Sequence, residues 1–328
     1  MKRTTLATVA VAGALALGLS ACSDSTTAGT GSGKSDGDIT VGFSVYDMQY
    51  EFFQKMEKGT RAAAEAKGWK FKLHDEKSDE NEMVTGAQAL LDQDVDVLII
   101  SPFKPDALGP IIAKAKQKKI PVIIDDIGGG GTPYDAIVIS DNADGGKQAA
   151  EHMAAQIAAN GAKSKKVVSI TCEPSAVYAA RRNEAFGEAI KAKGYQVVTE
   201  LSGNSKAEEA YKIAKDALAK NPDIAGVFAC NDPMGVAAAN AIKDAGKNPV
   251  KDIVTIGFNA DPEAVTAISK GGLSATIAQD PAGMGEKTVE LAAQAVAGDA
   301  LSYDDAGKRE VFQKVTLVTK ENVAQFAG

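Results

Sequence analysis

Three apolar runs in the second half of the chain stop on a side-chain amide. Residues 227–235 read VFACNDPMG, 256–264 read IGFNADPEA and 275–283 read ATIAQDPAG. Asn231, Asn259 and Gln279 therefore stand where a hydrophobic strand gives out, each shortly before an Asp-Pro pair. Asp is a preferred helix N-cap and Pro is favoured in the first helical turn, so Asp232, Asp261 and Asp280 predict strand, short turn and helix start. The amides, each able to donate and accept at once, need a shared destination of their own. Covalent chemistry lacks residues: the two histidines, His74 and His152, lie far from any serine or cysteine motif and GxSxG is absent. No Cys/His spacing suggests zinc, and no cofactor is expected. The run GGGG at 128–131 lacks the Lys-Ser/Thr of a phosphate loop and leads into a strand, so it reads as a plain loop. Asp125 and Asp126 are neighbours on one strand and should face opposite ways, which argues against an acid/base pair.

Such strand ends need a parallel sheet to gather them. From residue 39 onward strand-like runs (ITVGFSV, WKFKLHD, VDVLIIS, PVIIDD, AIVISD) alternate with helical spacing, as in Met83, Ala87, Leu90 and Leu91. The theme repeats in VVSITC, QVVTEL, GVFACN, IVTIGF and LSATIAQ. The fold class is α/β, with two doubly wound parallel-sheet lobes. In such sheets ligands bind beyond the carboxyl ends of the strands, where Asn231, Asn259, Gln279 and, in the first half, Asp126 all fall. One cleft between two lobes would collect them.

With 328 residues, 45% hydrophobic content and a formal net charge of -7, the chain has material for two lobes and no basic footprint for nucleic acid. The N-terminus reads as targeting sequence: Lys2 and Arg3 precede an apolar run at 6–19 that is short for a membrane span. That run ends in LSAC, which resembles a bacterial lipobox and implies cleavage after residue 21 and a diacylated Cys22. Residues 22–38 form a polar tether. This implies an extracytoplasmic protein anchored to the outer face of the cell membrane. Such a setting permits a disulfide between Cys172 and Cys230, although two separate buried thiols are the favoured reading.

The ordered motifs FFQKMEKG, KKIPVIIDD, SDNADGGK, RRNEAFGEA, GVFACNDPMGVAAANAI, IVTIGFNADPEAV and LSATIAQDPAGMG resemble the ribose-type periplasmic sugar-binding proteins of ABC importers, from residue 39 to the end. The resemblance implies a monomeric receptor that closes on a monosaccharide or polyol and delivers it to permease subunits, and no enzyme. It implies Phe52 and Phe53 as the stacking pair, one of them core, with Asp126, Arg182, Asn231, Asn259 and Gln279 holding hydroxyls. The chain departs from ribose binders at Ile127, where they carry arginine, at Asn259, where they carry aspartate, and around Ser205, where no aromatic is present. Tyr46, Tyr50, Lys104 and Tyr178 are candidate compensations. By the same resemblance three strands cross between lobes, assigning 39–141 and 280–310 to the first and 142–279 and 311–328 to the second. A two-lobed sugar-sensing regulator would need a basic DNA-binding head where this chain has its leader. An exported hydrolase would need a nucleophile and base that are absent.

Overall fold

The computed structural model describes residues 39–174 and 176–327, so the expected leader, the lipidation site Cys22 and the tether lie outside the described residues. The chain begins with β1 (Thr40–Val45), α1 (Glu51–Ala66), β2 (Lys70–Asp75), α2 (Glu80–Asp92), β3 (Val97–Ser101), α3 (Gly109–Lys118), β4 (Val122–Asp125) and β5 (Ala136–Ser140). It continues with α4 (Asn142–Ala159), β6 (Lys166–Thr171), α5 (Val177–Ala192), β7 (Gln196–Ser202), α6 (Ala207–Lys220), β8 (Gly226–Ala229), α7 (Asp232–Asp244), β9 (Val254–Ile256), α8 (Pro262–Ser269) and β10 (Ala275–Ala278). Then come α9 (Pro281–Ala297), β11 (Glu310–Gln313) and β12 (Thr316–Thr319).

These strands form two six-stranded sheets, ordered β11-β5-β4-β3-β1-β2 and β12-β10-β9-β8-β6-β7. Every pairing is parallel except that of β12 with β10. Helices cover both faces, which is why the central strands read as unbroken apolar runs rather than alternations. In the first lobe Phe43, Ile99, Ile123 and Val138 join the core formed with α1 and α9, while Leu98, Ile100, Ile124 and Ile137 join that formed with α2 and α3. The return of α9 onto α1 relies on Gly59, where an added Cβ would lie 2.2 Å from the carbonyl oxygen of Ala282.

Two local readings need correction. The third crossing does not fall at Val311: that residue pairs with Val138 in the first sheet, and the chain leaves after Gln313. VFQ and TLVT are both apolar and extended, so hydrophobicity could not say which sheet each would join. Helix capping also differs among the three Asp-Pro sites. Asp280 does cap, accepting from the Gly283 amide at 2.9 Å, and Asp261 stands at the N-cap of α8 without a side-chain cap bond. At α7 the cap is Asn231, whose Oδ1 accepts from the Met234 amide at 3.1 Å. Asp232 is instead buried inside the first turn, accepting from the Thr276 hydroxyl at 2.6 Å and the Asp261 amide at 2.8 Å. That carboxylate is needed to fasten the start of α8 to β10, so the amide takes over the cap.

Candidate functional site

Strand order reverses between β1 and β3 in the first sheet and between β6 and β8 in the second. At such a point the loops leaving adjacent strands diverge and open a crevice. The crevice of the first sheet is lined by Tyr46 and Tyr50 after β1, Phe103 and Lys104 after β3, and Asp126 with residues 127–134 after β4. Asn142, Glu173, Ala176–Ala179 and Arg182 face it from the second lobe. The cleft between them has a volume of about 1360 Å³.

One wall is aromatic. Tyr46 stacks on Phe53 with ring centroids 4.9 Å apart and meets Phe103 edge-on at 5.2 Å. Tyr50, half exposed, meets Tyr46 edge-on at 6.2 Å. Phe52 does not line the cleft; it packs against the first-lobe core, so of the expected stacking pair only Phe53 borders the cavity. Tyr46 replaces it as the partner ring. Rings of this kind offer flat faces to C–H groups.

The opposite wall centres on Arg182, which is 9% exposed and lies with its guanidinium carbon 3.9 Å from the centroid of the Phe258 ring. Nε donates to Asn142 Oδ1 at 2.7 Å and Nη1 to the Cys230 carbonyl at 2.9 Å and to Asn259 Oδ1 at 3.4 Å. Nη2 donates to Gln279 Oε1 at 3.3 Å. Gln279 Nε2 also donates to Asn259 Oδ1 at 2.8 Å, and Asn259 Nδ2 to Asp261 at 3.4 Å. A guanidinium carries five N–H groups, so these four contacts leave one, on Nη2, without a partner among the described residues. Asn231, Asn259 and Gln279 do not line the cavity: Asn231 caps α7, and the other two brace Arg182. The three amides expected to hold hydroxyls thus serve other contacts: Asn259 and Gln279 position the arginine and Asn231 fixes the start of α7.

Charge in this pocket is set by burial. Burial raises Asp126 to about 6, with Arg182 as the opposing influence, and lowers Arg182 to about 10 against the pull of Asp126, Asp232 and Asp261. Asp126 has φ 64°, a left-handed conformation that turns it away from the strand geometry of Asp125 and into the cleft. Asp125 is fully buried and does not line the cleft, and its carboxyl is raised well above the usual range by burial and then by Asp126. Burial likewise holds the Tyr178 hydroxyl up at about 12. Lys104 borders the cleft with its ammonium on Glu80 at 2.5 Å.

The cysteines overturn the expectation of separate thiols. Cys172, just after β6, and Cys230, just after β8, form a disulfide with Cα atoms 5.7 Å apart. It closes the switch point of the second sheet, and the bonded Cys230 supplies the carbonyl that holds Arg182. Separate strand-end cysteines 58 residues apart gave no sequence cue; adjacency of β6 and β8 did.

Sequence reasoning missed Phe103, Asn142 and Glu173. The same strand-end rule would have found all three, since they follow β3, β5 and β6 within a few residues. Asn142 matters most: as the first residue of α4 it donates to the Ser140 carbonyl at 3.0 Å, tying Arg182 to the first crossing.

Comparison with known proteins places this geometry. Residues 41–300 match the model of the periplasmic binding protein domain. The ribose import binding protein of Bacillus subtilis (strain 168) is 31% identical over 255 residues, 78% of this chain and 81% of that protein. The xylitol-binding protein of Mycolicibacterium smegmatis is 28% identical over 324 residues, covering 96% and 85% respectively. Among solved structures, an arabinose-binding protein from Geobacillus stearothermophilus superposes with a TM-score of 0.77 at 25% identity, over 89% of this chain and all of that one.

Proposed function

The chain belongs to the periplasmic binding protein family, and from that premise we propose that it is the substrate-binding lipoprotein of an ABC importer for a neutral sugar or polyol. The observation that carries this reading is that one cleft joins a ring wall, Tyr46, Phe53 and Phe103, to polar groups from both lobes, Asp126 beside the rings and Arg182 opposite. A sugar has the matching two-sidedness: C–H faces for the rings, and hydroxyls that donate to the carboxylate and accept from the guanidinium. Related proteins named for ribose, xylitol and arabinose support the ligand class.

Ligand contact from both sides links capture to closure. Asp126 belongs to the first lobe and Arg182 to the second, so a molecule bonded to both favours the closed arrangement by its differential affinity. The chain would work as a monomer, its closed form recognised by the permease. A thermal-shift screen of pentoses, hexoses, linear polyols and inositols tests the reading directly. A ligand that binds only the folded protein raises the melting temperature. No shift with any of them would overturn the proposal.

Two predictions arise here. Ligand hydroxyls donate most strongly to Asp126 while it is ionised, and burial raises its carboxyl to about 6. Affinity is therefore full above that value and falls as pH drops through it, by at most about tenfold per unit. Titration calorimetry at pH 7.5 and pH 5 checks this, and Asp126→Asn should weaken binding at pH 7.5 and flatten the dependence. The second concerns Cys22. One acyl chain anchors weakly whereas two or more anchor stably, so Cys22→Ala should move the protein from the membrane fraction to the soluble one. Retention of that variant in washed membranes would remove the lipoprotein part of the proposal.

A further inference from the structure

The residue next to Arg182 makes a different connection. Arg181 donates from Nη1 to Glu310 Oε2 at 2.9 Å and from Nη2 to Glu310 Oε1 at 2.8 Å, a fork-to-fork pair. Arg181 belongs to α5 of the second lobe and Glu310 begins β11 at the edge of the first sheet. The contact therefore runs from lobe to lobe, side chain to side chain.

Both partners are held rigidly on their own side. Glu310 is 1% exposed, its backbone pairs with Ile137 of β5, and its amide donates to the Asp305 carbonyl at 3.0 Å. The Arg181 guanidinium lies 4.5 Å from the centroid of the Tyr178 ring, one turn earlier on α5. Tyr178 packs in turn on the first-lobe core and against Gly128, where an added Cβ would lie 2.4 Å from Cε2 of the ring. Neither Arg181 nor Glu310 lines the cleft. Glu310 lies three residues before the last residue of β11, roughly 10 Å along the strand from the third crossing. Rotation about the crossings must therefore pull the pair apart.

A carboxylate this buried is costly to keep without its cation. Among the described residues its side-chain partner comes from the other lobe, so the first lobe carries a charge that is satisfied when the lobes are together. We propose that Arg181 and Glu310, backed by Tyr178, form a latch that holds the lobes together without ligand and sets affinity without touching it. The proposal rests on the two-lobed receptor reading. Apparent affinity is the intrinsic affinity scaled by the fraction of protein already in the binding-competent form. A latch raises that fraction, so Arg181 and Glu310 are positioning residues for capture.

Small-angle scattering on the empty mature protein is the test. Removing both charges together, R181M with E310M, avoids leaving a buried carboxylate unpaired, and the exchanged pair R181E with E310R restores the contact in reverse. The charge-free variant should show a larger radius of gyration than wild type, and the exchanged variant should recover part of the difference. Calorimetry with the best ligand of the screen should show affinity about tenfold weaker in the charge-free variant, as follows if the closed fraction falls to a tenth. A wild-type radius of gyration in the empty charge-free variant would overturn the latch. If no sugar or polyol binds wild type, the receptor reading fails instead, and the scattering comparison still decides whether the pair holds the lobes.

Discussion

Arg182→Ala is expected to weaken ligand binding by about thirtyfold to several hundredfold, corresponding to roughly 2 to 4 kcal/mol. The reason is partly direct and partly structural. The one uncommitted N–H on Nη2 is available to the ligand. The four committed ones hold Asn142, Asn259, Gln279 and the Cys230 carbonyl in place. Truncation removes the donor that Asn142, Gln279 and the Cys230 carbonyl share, and opens the space over the Phe258 ring. Arg182→Lys should recover little, because an ammonium cannot reproduce a planar fork directed at several acceptors. Asn259→Ala should weaken binding in the same direction and by less, since Gln279 still meets the guanidinium. Glu184, exposed on the same helix, is the control, and Glu184→Ala should bind as wild type. Calorimetry decides it: wild-type affinity in Arg182→Ala would mean that the polar wall lies elsewhere.

Removing the disulfide, by reduction or by Cys172→Ser with Cys230→Ser, is expected to lower stability by about 4 kcal/mol. That figure follows from loop-closure entropy for a bridge between positions 58 apart. The melting temperature should fall by roughly 5 to 10 °C, given the small shift per kcal/mol in a chain of this length. Ligand affinity should fall as well, because the bridge holds the β6 and β8 loops that carry Ala176–Ala179 and the Cys230 carbonyl. Calorimetric melts with and without reductant, together with thiol counting on denatured protein, check both. Unchanged melting in the double variant would show that the bridge adds no stability.

Much of the architecture was legible along the chain because local physics dictates it. Apolar runs of five or six residues, helical spacing between them and Asp-Pro at three strand ends specify an alternating α/β chain whatever else is nearby. Parallel sheets then oblige the strand ends to meet, which is why Asp126 and the three amides fall at one edge of the fold.

What each strand-end residue does there was decided by contacts across long intervals. Asn142 meets Arg182 over a separation of 40 residues, Cys230 over 48, Asn259 over 77 and Gln279 over 97. Arg181 meets Glu310 over 129. Hydrogen bonds and ion pairs depend on distance and direction to within tenths of an ångström, and no periodicity encodes those. Sequence alone thus determined the fold class and the strand ends, Asp126 among them, from which the cleft is built. Only the tertiary structure decided that Asn231 caps α7, that Phe52 packs outside the cleft while Tyr46 partners the buried Phe53, that the cysteines join, and that VFQ belongs to the first sheet. The reason is the same in each case: several residues of suitable chemistry competed for one place, and the packing of distant segments chose among them.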